Sequence, residues 1–214
     1  MINDTDLKFQ HPFCMMVAGP SQCGKTRFIM DLLKHRLELI EPAPTRVVYC
    51  YSVWQSNYDD MKHMIPSIEF QQGVPALDGI DPDDNNIIIL DDLMSECIDD
   101  KNILHLFTVG SHHNNISPIF LTQNIFCKGK HARSISLNSH YLILFRNPRD
   151  PSQVWHLGRQ IYPRNMKYFE EAFNDAVSQP YGYLVVDLKQ ETRDELRLRT
   201  LDRKDNRLFT YIKK

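Results

Sequence analysis

The sequence predicts an α/β domain: a doubly wound, mainly parallel sheet with helices on both faces. Two observations along the whole chain carry this, and a third is local. Short unbroken apolar runs alternate with stretches whose apolar residues recur at helical spacing. No repeat, low-complexity tract or long linker divides the 214 residues, so one domain over 1–214 is expected, with a basic segment at 193–214. Locally, the run "FCMMVA" (13–18) leads directly into "GPSQCGKT" (19–26) and then into an amphipathic stretch, which reads as strand, glycine loop and helix in succession.

The elements follow in order. "FCMMVA" is a short buried strand. In "KTRFIMDLLKHRLELI", Phe28, Ile29, Leu32, Leu33, Leu37 and Ile40 form one stripe of a single helix, stopped by "EPAP". "RVVYCYS" (46–52) is the second strand, and "NYDDMKHM" a short helix ending near Pro66. The acidic "LDGIDPDDNN" is a loop. "IIIL" (87–90) is a third strand, apolar without alternation and therefore covered on both faces. A helix around 99–109 precedes a fourth strand, "SPIFLTQ" (117–123). "SHYLILF" (139–145) is a fifth, and "YGYLVVDL" (181–188) follows two helical segments. Strands joined through helices imply right-handed crossovers and parallel pairing.

Composition narrows the class. With 42% hydrophobic and 24% charged residues, a domain of this size has ample core without disulfide or metal staples. The five cysteines include no C-x-x-C pair and suit a reduced setting, where Cys23 and Cys127 read as small buried fillers or, alternatively, metal ligands. "MINDTDLKFQHPF" has neither the basic start nor the apolar stretch of a secretory signal. No window approaches the roughly 20 apolar residues that span a bilayer, so a soluble chain without a membrane partner is expected. The net charge is −2, but residues 193–214 hold eight Lys/Arg against four Asp/Glu. That basic end is either a polyanion contact or a solvated terminal element.

"GPSQCGKT" matches G-x-x-x-x-G-K-[ST] at every fixed position, between a strand and a helix as that motif requires. The loop of Gly19, Pro20, Ser21, Gln22, Cys23 and Gly24, through the backbone N–H groups of its residues other than Pro20, forms a phosphate cradle with the helix N-terminus. Lys25 is placed to reach the β- and γ-phosphates of ATP, and the Thr26 hydroxyl to coordinate Mg²⁺. Such a P-loop calls for a second, acidic element. In "NIIILDDLM", Asp91 emerges at the C-terminal edge of its strand, where it can hold Mg²⁺ through water. Asp92, pointing differently, can orient or deprotonate the attacking water. The plainer reading of the two is a helix N-cap pair. Gln123 closes "IFLTQ"; if that strand lies between those carrying Lys25 and Asp91, its amide faces the γ-phosphate and senses it. The alternative is an ordinary edge residue. The intervening strand at 46–52 suits P-loop NTPases of the additional-strand, catalytic-acid type.

A resemblance extends this reading. "HPFCMMVAGPSQCGKT", "IIILDDLM", "GSHHNNISPIFLTQNIF", "SISLNSHYLILFRNPRD" and "PYGYLVVD", spanning roughly residues 11–188, resemble the DNA-packaging ATPases of the FtsK–HerA superfamily. These are the kind carried by Polinton/Maverick elements, adintoviruses and related large DNA viruses. The resemblance implies ATP hydrolysis coupled to moving double-stranded DNA into a preformed capsid, with capsid or vertex proteins as partners. It implies a homo-oligomeric ring of five or six copies, each site completed by a neighbour's arginine. It also implies a location in an infected or element-carrying host cell, in the nucleus or on the virion. Asp92 stands where many members carry Glu, and "SHHNN" (111–115) supplies no arginine before the sensor strand. Arg133, Arg149 and Arg146 are therefore the candidates for the catalytic arginine, each also readable as a surface ion-pair residue.

Other features remain open. "CKGKHAR" (127–133) gathers Lys128, Lys130, His131 and Arg133 around Gly129, either to grip DNA phosphates or as a solvated loop. His112 and His113 invite a zinc reading, without clustered acids or cysteines to support it. A small P-loop kinase suits the length but needs no Asp91–Asp92 pair. A GTPase would explain "NPRD" (147–150), except that Pro148 replaces the lysine of the guanine-reading N-K-x-D.

Overall fold

Alternate residues of each central strand enter two separate cores. Ile87 and Ile89 pack with Phe28, Leu32 and Tyr58 on one face, while Ile88 and Leu90 pack with Ile103, Phe120 and Leu157 on the other. Side chains of a strand alternate between its two faces, so a strand buried on both must be apolar at every position. That is why "IIIL" shows no alternation. The computed structural model describes residues 7–75, 77, 79–93, 100–110, 114–127, 129–202 and 207–213.

The described elements are, in chain order, β1 (Phe9–Gln10), β2 (Met15–Ala18), α1 (Lys25–Lys34), α2 (Arg36–Leu39), β3 (Ile40–Glu41), β4 (Arg46–Tyr51), α3 (Asn57–Met64), β5 (Ile68–Gln72) and β6 (Asn86–Asp91). Then come α4 (Lys101–His105), running into a π-helical turn at Leu106–Gly110, β7 (Ile116–Thr122), α5 (Ala132–Leu137) and β8 (Tyr141–Phe145). The chain continues through α6 (Ser152–Ile161), α7 (Met166–Ala176), β9 (Tyr183–Asp187), a 3₁₀ turn at Asp194–Leu196, β10 (Leu198–Asp202) and β11 (Arg207–Thr210). The main sheet has the order β11-β10-β9-β8-β2-β7-β6-β4-β5. From β8 to β5 all neighbours are parallel, and β9, β10 and β11 add antiparallel strands at one end.

Three local expectations are corrected. The helix expected to run from 25 to 40 ends at Lys34, where the His35 N–H reaches Asp31 O and the Arg36 side chain caps Leu33 O. Leu37 is consequently 71% exposed, and Ile40 pairs with Phe9 in a small parallel sheet. The edge strand β5 and the short helix α5 were not expected: "IEFQQ" is mostly polar, and "ARSISL" is too short for a helical period to show. In the described part of the basic C-terminal segment, β10 and β11 pair antiparallel at the end of the sheet, and three arginines of the segment serve the fold. Arg199 lies in a buried ion pair with Asp187 at 2.7 Å, Arg197 bonds Asp194 and two backbone carbonyls, and Arg193 pairs with Glu195.

Candidate nucleotide site

Strand β2 delivers the chain to the cradle in a fixed register. Ala18 is paired with Thr122 of β7 on one side and Leu144 of β8 on the other, and the Gly19 N–H continues the ladder to Thr122 O. A Cβ at Gly19 would lie 2.6 Å from both Cys23 Sγ and Phe145 Cβ, so the close packing of the loop requires glycine there. Cys23 is thus part of the loop's packing, and burial raises its thiol pKa. Gly24 stands at φ 111°, a left-handed conformation that opens α1 without a side-chain cap. The first turn of α1 holds no acidic residue but does hold Lys25 and Arg27. Cations at a helix N-terminus oppose the helix dipole, so this end is complementary to an anion. Lys25 Nζ donates to Gly19 O at 2.7 Å and Pro20 O at 3.0 Å, folded over its own loop.

Asp91 is the last residue of β6 and only 5% exposed. Its Oδ2 accepts from Tyr49 Oη at 2.5 Å and Tyr58 Oη at 2.9 Å. Burial raises the Asp91 carboxyl pKa; the two phenol hydrogen bonds and the Lys25 charge oppose that rise, and Asp92 adds to it. Burial and the negative charge of Asp91 in turn hold both phenols well above their ordinary range, so they act as donors. Sequence reasoning missed this pair, since tyrosines in a strand and a helix read as core. Asp92 is exposed at φ 55°, a left-handed conformation that aspartate tolerates better than most side chains and that turns it away from the line of β6. The helix its N-cap reading requires would fall on 94–99, outside the described residues.

The strand order places β7 between β2 and β6, the condition set for Gln123. A cleft of about 220 Å³ brings together Ser21, Gln22, Lys25 and Thr26 of the cradle with Asp91, Asp92 and Gln123. Gln55, not foreseen, also lines it. One argument for Gln123 is corrected: the buried polar residue is Thr122, which bonds Asn124 and Cys127, whereas Gln123 lies past the strand end and is exposed. Its amide needs no protein partner, and its place on the cleft wall is what remains. The donors gathered here, a threonine hydroxyl and carboxylates, are the hard oxygen ligands that Mg²⁺ prefers.

No family model matches the chain, and no curated protein does. Its fold is similar to that of a viral genome packaging NTPase. The relative is B204 from Sulfolobus turreted icosahedral virus 2, solved in complex with ATP-gammaS, at TM-score 0.53 and 11% identity, with 94% of this chain and 97% of that one covered. The AMPPCP complex gives 0.52 at 12% over the same shares, and the AMP complex 0.52 at 12% over 82% of this chain and 92% of that one. At such identity the likeness establishes the fold, a P-loop NTPase architecture.

The three candidate arginines stand apart from the cleft. Arg133 is exposed on the first turn of α5, while Arg146 and Arg149 are exposed on the turn after β8. None lines the cleft, and none takes part in the described ion pairs. In "NPRD", Asn147 Oδ1 accepts from the Arg149 and Asp150 N–H groups, and Asp150 accepts from Ser152 and Gln153, a turn rather than a base reader. Gln153 also spans to the loop after β7: its Oε1 accepts from Ile125 N at 2.7 Å and its Nε2 donates to Asn124 Oδ1 at 2.9 Å. Lys130 is exposed and Gly129 sits at φ 151°; Lys128, His112 and His113 lie outside the described residues. Among the described residues no cluster of three His, Cys, Asp or Glu forms a metal site, and no helix is long and apolar enough to cross a membrane.

Proposed function

We propose that the chain is an Mg²⁺-dependent ATPase that drives double-stranded DNA into a viral or virus-like capsid. The observation that carries this reading is the single cleft that joins the cradle to Asp91, Asp92 and Gln123 through the interposition of β7. The likeness to B204 in fold, and the motif resemblance over most of the chain, support the packaging role.

Thr26 and Asp91 would hold Mg²⁺, which supplies charge neutralisation at the phosphates. Tyr49 and Tyr58 fix the Asp91 carboxylate by its Oδ2. Lys25 exchanges its two loop carbonyls for phosphate oxygens. Asp92, exposed beside the metal ligand, takes the proton of the attacking water, and Gln123 reads the γ-phosphate. The catalytic arginine comes from an adjacent copy in a ring of five or six, with Arg133 first and Arg149 second. Lys130 grips the DNA backbone, and capsid or vertex proteins anchor the ring in the host cell or virion.

ATP hydrolysis measured with and without long double-stranded DNA tests the reading, with Lys25→Ala as the control. DNA-stimulated turnover lost in Lys25→Ala is expected. Phosphoryl transfer to nucleosides in place of hydrolysis would overturn it in favour of a kinase.

A further inference from the structure

The groups just assigned account for the phosphate and metal end of a nucleotide. Of these, the cleft residues Asp91, Asp92 and Gln123 lie on one side of β2, on β6 or just beyond the ends of β6 and β7. With the γ-phosphate held on that side, the nucleoside must leave the cradle on the other, toward β8 and β9. There the chain presents an aromatic ring. Tyr181, in the turn before β9, touches the loop's last glycine: a Cβ at Gly24 would meet its Cδ1 at 3.0 Å and its Cβ at 3.1 Å. The Arg27 guanidinium, from the first turn of α1, lies 5.4 Å from the ring centroid.

Tyr181 is 46% exposed beside a charged loop, where burial gains little for an aromatic side chain. It also stands at φ 63°, a left-handed conformation that is strained for a bulky residue. The turn cannot easily relax through its neighbour: a Cβ at Gly182 would lie 2.3 Å from Ala176 O, so the backbone is packed tightly against the end of α7. A strained, half-exposed ring held against the cradle by tight packing is a rigid platform.

We propose that Tyr181, steadied by Arg27, is the surface on which the nucleobase of the bound nucleotide stacks. The proposal rests on the nucleotide reading of the cradle and adds what that reading lacks, a contact for the base. Stacking on a π-face is tolerant of base identity, so this contact favours purines for their area and does not by itself separate adenine from guanine.

Calorimetric titration of the whole chain with two probes, Mg·ATP and Mg·tripolyphosphate, separates the base contact from the phosphate contact. Tyr181→Ala is expected to weaken ATP about tenfold and to leave tripolyphosphate unchanged, with Tyr181→Phe within about twofold of the parent for both. Equal loss for both probes, or no loss for ATP, overturns the platform. Lys25→Ala is expected to weaken both; if it weakens neither, the cradle reading fails instead. Circular dichroism checks each fold, and Tyr181→Asn, which tolerates the left-handed backbone, replaces Tyr181→Ala if that variant unfolds. The unmutated chain provides a second measurement: photolabelling with 8-azido-ATP should mark the peptide containing Tyr181, and labelling confined to other peptides counts against the proposal.

Discussion

The Tyr49 hydroxyl lies 2.5 Å from Asp91 Oδ2, and Tyr58 donates to the same oxygen. Two buried phenols from different elements thus orient a carboxylate that the proposed function assigns to Mg²⁺. Groups that orient a metal ligand are typically worth about ten- to a hundredfold in metal affinity. Tyr49→Phe keeps the ring and removes one donor. It is expected to raise the Mg²⁺ concentration for half-maximal ATP turnover about tenfold, with maximal turnover little changed. A Mg²⁺ titration at saturating ATP checks this.

Asp91 also links pH to stability. Its folded pKa lies above the ordinary 3.8, mainly through burial. A carboxyl raised in this way stabilises the fold in its protonated form, fully below the ordinary value, and that contribution is lost as pH rises through the folded value. Ionised Asp91 is therefore a cost to the metal-free fold at neutral pH. Asp91→Asn should melt no lower than the parent at pH 7 without metal, any advantage fading toward about pH 4, while losing Mg²⁺-dependent turnover. Thermal melts across that range, run in chelator, give the answer.

Asp92 and Gln123 line one cleft but have different proposed roles. Asp92→Asn should bind Mg·ATP normally and hydrolyse it about 10²-fold more slowly, the scale of a lost general base. Gln123→Ala should keep ATP affinity and lose the stimulation by DNA. Dissociation constants measured beside turnover, with and without DNA, distinguish these outcomes from simple loss of binding.

No described arginine lines the cleft, and an arginine finger is worth about 10³ to 10⁵ in rate in related phosphoryl-transfer systems. The isolated chain should therefore be a feeble ATPase. Mixing an Arg133→Ala subunit with a Lys25→Ala subunit should restore activity above either alone, because each supplies what the other lacks. The same mixture with Arg149→Ala or Arg146→Ala tests the alternatives. Absence of rescue by all three, with full activity in a proven monomer, removes the shared site.

Arg199 and Asp187 are 1% and 3% exposed at their side chains. Removing one member of a buried pair strands the other's charge, a loss of about 3–5 kcal/mol. Arg199→Ala should lower unfolding stability on that scale in denaturant titration, whereas Arg133→Ala, on the surface, should not.

The strands and the cradle were legible because they rest on local signals: unbroken apolar runs for strands covered on both faces, and fixed spacing for the loop. The order placing β7 beside β2 was inferred from the sequence of motifs, and the sheet has that order. What escaped depends on distant partners. No sequence signal marks the end of the helical stripe at Lys34; the Arg36 cap on Leu33 O shows only in the structure, and Ile40 is drawn off by pairing with Phe9, some thirty residues earlier in the chain. Tyr49 and Tyr58 look like core until Asp91 is set between them. Gln123 lines the same cleft as Lys25 and Asp91, but the burial argument belongs to its neighbour, since the polar group that burial constrains is Thr122.

The Gln153 amide holds the loop after β7 through Asn124 and Ile125, and the turn after β8 through Asp150. The loop begins beside Gln123 and the turn carries Arg149. They share one side chain: a displacement of either must stretch or break a Gln153 hydrogen bond unless the other moves with it. Under the proposed cycle, loss of the γ-phosphate would then not reach the DNA-facing loop alone. The same displacement would swing the arginine-bearing turn, so that one copy's spent stroke resets the geometry it offers to the next.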